Sequence, residues 1–111
     1  MVIWFMFTDI PTVRVLSPEY RTGYDKPVTL ECVVDSNPRH TAVTWFFVEK
    51  GNRKTRVEMD SSYSGSTVNN PSLTINNAKF DDKGYYECTA ENVAGVGYSD
   101  TTNLIVTGGK L

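Results

Sequence analysis

Cys32 and Cys88 stand 56 residues apart, and each lies in a run that alternates apolar and polar side chains. Val28, Leu30, Cys32 and Val34 share one face of the first run. In the second, Tyr86, Cys88 and Ala90 face one way, and Tyr85, Glu87 and Thr89 the other. A period of two places a half-buried strand under each cysteine. Two cysteines on the inward faces of strands far apart in sequence call for two layers packed face to face. The even count and long separation are compatible with one disulfide in an oxidising compartment, or with two buried thiols in a reducing one. If joined, the pair closes a loop worth about 4 kcal/mol by chain entropy.

The rest of the chain agrees with an all-β reading. No helical period is sustained; short runs rich in Val, Thr, Ile and Tyr are punctuated by Gly, Pro, Asn and Asp. Strands are expected at residues 12–16, ended by Ser17-Pro18, and at 28–34. Another is expected at 43–48, where Val43, Trp45 and Phe47 point inward. Residues 55–59 are the returning strand after a polar hairpin turn, and 66–68 an irregular edge strand. Leu73 and Ile75 share the inner side of a short strand, and a last strand runs through 103–107. Polar turn residues at 22–27, a loop at 35–41 and a hairpin loop at 92–97 connect them. About eight short strands of this kind make a two-layer sandwich, with Trp45 packed beside the cysteines.

Length allows one domain: 111 residues, expected as an N-terminal segment at 1–11, a domain at 12–107 and a tail at 108–111. A net charge of −2 gives no reason to expect nucleic acid, which needs a concentrated basic surface. The one basic run, Lys50, Arg53, Lys54 and Arg56, reads as a solvated hairpin. Two lone cysteines and the single His40 supply no metal-binding spacing, and the acids form no calcium loop. No cofactor is expected. The apolar run Met1–Phe7 is far shorter than the about 20 residues of a membrane span and lacks the marks of a signal peptide. It reads as either a first strand or part of a truncated hydrophobic segment.

The stretch Phe80-Asp-Asp-Lys-Gly-Tyr-Tyr-Glu-Cys88 raises the question of chemistry, with carboxylates beside a thiol. A catalytic cysteine needs exposure and a lowered pKa, whereas Cys88 alternates inward and has no histidine near it in sequence. An enzyme is not expected. Asp82 is a short acceptor suited to a tight turn, Gly84 permits close backbone approach, and Tyr86 can bury its ring while its hydroxyl bonds the turn.

The set Cys32, Trp45 and Tyr86-x-Cys88, with Leu73-x-Ile75 and Asp82-x-Gly84 before it, resembles the immunoglobulin superfamily. Ala90-x-Asn92-x-x-Gly95 is similar to its intermediate (I-set) branch, found in adhesion molecules, invertebrate immune receptors and muscle proteins. The resemblance spans residues 12–107 and implies an immunoglobulin-like, two-sheet Greek-key sandwich with one inter-sheet disulfide between Cys32 and Cys88. Trp45, Leu73, Ile75, Asp82, Gly84 and Tyr86 become its core and corner. One departure concerns Asp82, which the family often pairs with a basic residue near the start of the fourth strand. Here that region has none, and Arg56 is the nearest candidate.

The resemblance implies a binding module of a cell-surface or secreted protein, part of a longer chain, whose partner is a protein: itself or another surface receptor. With Trp45 inward, Phe46 and Val48 point outward beside Tyr85 and Glu87, forming a candidate contact face for homophilic adhesion. A second candidate is the loop end, with Asn37, Arg39, His40, Asn92 and Val93, for immune-type recognition of a ligand. A third reading is an intracellular structural domain, which predicts free thiols at both cysteines. No Asn-x-Ser/Thr acceptor is usable, since Asn70-Pro71-Ser72 carries proline at the middle position.

Overall fold

The computed structural model describes residues 8–108. The apolar run 1–7 and the last tail residues 109–111 lie outside the described residues, and the expectations for both segments fall there. Two layers of strand pack against each other. The larger runs in the order β2 (Glu19–Gly23), β11 (Thr102–Thr107), β9 (Gly84–Asn92), β5 (Ala42–Glu49) and β6 (Arg53–Arg56), with β10 (Gly95–Tyr98) also paired to β9. In the other layer β1 (Asp9–Val15) pairs with β4 (Cys32–Asn37), and β3 (Val28–Leu30) with β8 (Leu73–Ile75) and then β7 (Tyr63–Gly65). Among the described strands only β2 and β11 run parallel; the other pairings are antiparallel.

The core sits where the inward positions meet. Leu30, Cys32, Leu73 and Ile75 come from one layer, and Trp45, Tyr86, Cys88, Ala90 and Leu104 from the other, all buried. Cys32 and Cys88 are joined as a disulfide that ties β4 to β9. Trp45 is the cross-strand partner of Cys88, so its indole lies on the same face as the bridge. A buried indole N–H must find an acceptor. Trp45 Nε1 donates to the Pro71 carbonyl at 2.7 Å.

Several boundaries differ from the alternation, each for a local reason. The strand expected from Thr12 begins at Asp9, because a register irregularity between Asp9 and Thr12 accommodates Pro11, which has no N–H to give. The run 28–34 is interrupted at Glu31. There the Cys32 amide donates to Ser72 Oγ at 3.0 Å, and the Glu31 amide to the Tyr20 hydroxyl at 3.2 Å. The loop expected from Asp35 starts later, since Asp35 and Asn37 still pair with β1. β2 was not legible: Glu19-Tyr-Arg-Thr-Gly23 offers only Tyr20 to the interior.

The returning strand covers Arg53–Arg56 rather than 55–59, because the hairpin register pairs Arg53 with Glu49. The irregular edge strand is Tyr63–Gly65, not 66–68: Gly65 and Ser66 both have positive φ, and the chain turns back through Thr67 and Asn70. The hairpin loop at 92–97 shrinks to Val93-Ala94 between β9 and β10. Asn92 Oδ1 caps that turn by accepting the Ala94 and Gly95 amides at 2.8 and 3.3 Å.

Candidate interaction face

The corner before β9 holds the face in place. The Tyr86 hydroxyl donates to the Asp82 carbonyl at 2.5 Å, and the Lys79 amide donates to Asp82 Oδ2 at 2.8 Å. No Lys or Arg side chain forms an ion pair with Asp82 among the described residues. Gly84 has φ +142°, and a β-carbon there would meet the Phe47 ring at 2.8 Å. That ring packs edge-on to Tyr86, with centroids 5.1 Å apart. Burial, with the Asp82 charge adding to it, pushes the Tyr86 phenol far above its ordinary value.

From this corner β9 runs up the middle of the larger sheet, and register sets the side chains of its outer face in rows. Lys54, Val48 and Tyr85 form one row, and Arg56, Phe46 and Glu87 the next. Thr44, Thr89 and Tyr98 follow, then Ala42, Glu91 and Val96. Tyr85 and Tyr98 are 51% and 58% exposed, whereas Phe46 and Val48 are half-buried.

Glu87 departs from its expected place on an exposed rim. It is 7% exposed, and its Oε1 lies 2.8 Å from the Lys54 ammonium. That oxygen takes no further hydrogen bond among the described residues. The same ammonium stands 4.8 Å from the centre of the Tyr98 ring. To reach both, the Lys54 side chain passes from β6 over β5, where Phe46 stands, which accounts for the partial cover of Phe46. A groove of about 300 Å³ remains on this face, lined in part by Thr44, Phe46, Lys54, Glu91, Val96 and Tyr98.

Lys54, Glu91, Val96 and Tyr98 were not among the face residues expected from sequence. The signal for the last two was Gly95-Val-Gly-Tyr98, in which glycines alternate with large side chains. Gly97 faces inward, where a β-carbon would collide with the Pro11 carbonyl of β1. Val96 and Tyr98 therefore face out.

The loop residues divide. Asn92 is buried; its Nδ2 donates to the Asp9 and Pro38 carbonyls at 2.6 and 3.1 Å, and lies 3.2 Å from Ser36 Oγ. It is a strut tying β9 to the segment after β4, not a contact residue, because a buried amide must spend its donors internally. The Asn37–Pro38 peptide in that segment is cis. Arg39 donates to Asn69 Oδ1 at 2.5 Å, and His40 Nε2 lies 2.9 Å from the Val68 carbonyl. Asn37 is exposed, and Val93 at the hairpin tip is 81% exposed.

Two strand layers, a bridge between them, a tryptophan against that bridge and a tyrosine-pinned corner define a sandwich domain that presents faces and loops. The chain belongs to the immunoglobulin domain family, whose model matches residues 11–92. It is similar to the tyrosine-protein phosphatase Lar-like of Caenorhabditis elegans, 45% identical over 51 residues, covering 45% of this chain and 2% of that protein. It is also similar to the receptor-type tyrosine-protein phosphatase S of Gallus gallus, 33% identical over 84 residues, covering 73% of this chain and 5% of that protein. Matches of that share carry over no phosphatase activity. Among solved structures it resembles the N-terminal four immunoglobulin domains of Dscam1. Isoform 4.4 gives a TM-score of 0.75 at 23% identity, over 92% of this chain and 26% of that one. Isoform 4.44 gives 0.65 at 20% identity, over 90% and 25%. These last likenesses concern the fold.

Proposed function

We propose that this domain is a non-catalytic protein-binding module of a cell-surface or secreted protein, making adhesive contact through the outer face of its larger sheet. The observation that carries the reading is the groove lined by Phe46, Lys54 and Tyr98, with the exposed Tyr85 on the same face. Exposed aromatic side chains rimmed by charge favour a protein contact. The disulfide supports an oxidising, extracellular setting over the intracellular structural reading. Similarity to receptor-type proteins supports the cell surface.

Sedimentation across a concentration series tests the reading. Phe46→Glu, which introduces a carboxylate into the groove, is expected to abolish self-association; sedimentation identical to the parent chain overturns the homophilic form. Recognition by the loop end is the second reading, favoured by the exposure of Val93 at the hairpin tip and of Asn37 and Arg39. Swapping the Val93-Ala94 tip separates the two, since it leaves the sheet face intact.

A further inference from the structure

The outer face carries its charges unevenly. Cations lie along β6 at one side, and the exposed carboxylate of Glu91 lies on β9 towards the other. Between them the Lys54–Glu87 pair is neutral as a unit. Arg56 and Glu91 are both exposed, and neither forms an ion pair among the described residues. They stand two strands and two rows apart, on a diagonal of about 17 Å at the usual strand spacing and rise. The midpoint of that diagonal is Thr44.

We propose that the occupant of this face is a second copy of the same chain, related by a two-fold axis passing over Thr44, so that Arg56 of each copy meets Glu91 of the other. This rests on the reading of the face as a self-contact surface and specifies its register. Reflecting the face across an axis perpendicular to the diagonal exchanges the Arg56 and Glu91 positions. The same operation carries Phe46 of one copy towards Thr89 and Tyr98 of the other. Phe46 then lies about 7 Å from Thr44, inside the Arg56–Glu91 pair on its side, while Tyr98 stands about 10 Å from Thr44, alongside the pairs. Charge decides against the competing arrangement: β6 facing β6 would oppose Arg56 and Lys54 with their own copies, whereas the proposed axis faces Arg56 with Glu91.

The test uses charge reversal on exposed positions in the full chain, read by sedimentation equilibrium. Glu91→Arg and Arg56→Glu are each expected to weaken self-association more than about tenfold, because each substitution occurs twice in an isologous dimer. An equimolar mixture of the two variants is expected to recover association as a heterodimer, in which every facing pair is again of opposite sign. If the parent chain associates and Tyr98→Ala abolishes it, but neither reversal weakens it, the face stands as the contact and the Arg56–Glu91 register is overturned. Weakening by both reversals without recovery in the mixture also overturns it. If the parent chain does not associate at all, the self-contact reading falls together with the register.

Discussion

The Tyr86 hydroxyl reaches back to donate a hydrogen bond to the Asp82 carbonyl, closing the corner through which the chain enters β9. The ring is buried against Phe47, so the hydroxyl has no access to bulk water as an alternative partner. Tyr86→Phe is expected to destabilise the fold by about 1–2 kcal/mol, the cost of an unmade buried hydrogen bond. A lower urea midpoint with an unchanged slope in chemical denaturation checks it.

The same burial fixes the response to alkali. Folding raises the Tyr86 pKa above the ordinary tyrosine value, so the native state holds its phenolic proton more tightly than the unfolded chain. That contribution is complete below about pH 10, where free tyrosine begins to ionise. It is lost as pH rises towards the folded value, because the unfolded chain releases its proton first. Stability measured between neutral pH and pH 11 is expected to fall above pH 10. Tyr86→Phe should make that fall shallower without removing it, since burial also raises Tyr20 and Tyr63.

Trp45 joins two jobs in one side chain, filling the space beside the disulfide and satisfying the Pro71 carbonyl. Trp45→Phe removes volume and leaves that carbonyl without its donor. The expected loss is about 2–4 kcal/mol, measurable as a lower thermal midpoint.

Gly97 lets β10 lie against β1. Gly97→Val is expected to push the two strands apart, because the added side chain meets the Pro11 carbonyl. Amide exchange in β1 should quicken well before exchange in β5 or β9, which are held by other pairings. Uniform exchange across all strands would contradict that mechanism.

Replacing both cysteines by alanine removes the covalent tie between the layers and is expected to cost about 2–5 kcal/mol. Thermal denaturation of the double variant against the parent chain measures it.

The strands that alternation revealed are those with one wet and one dry face. Cys32, Trp45, Leu73, Ile75 and Cys88 each repeat at a period of two within apolar company, so their inward position could be read directly. β2 and the end of β4 were hidden, because their residues pair through the backbone while offering little apolar pattern. Glu87 was misplaced for a different reason. Alternation correctly sent it outward, but its burial depends on a lysine arriving from two strands away, a tertiary contact with no local trace. The inward Asn92 was missed similarly, since an amide in a hairpin reads as a turn former until its donors are counted.

The break at Ser17-Pro18 transfers the chain from one layer to the other, so that β1 and β2 serve different sheets. That flank of the sandwich is thereby laced shut, with Pro11 against Gly97 and the Tyr20 hydroxyl on the Glu31 amide. The opposite flank ends in β6, whose four exposed residues include three cations, and in the three-residue β7. A seam sewn on one side and fenced by charge on the other leaves, among the described strands, a poor template for a stray strand to extend. Edge-to-edge pairing between copies is thereby disfavoured at these two flanks.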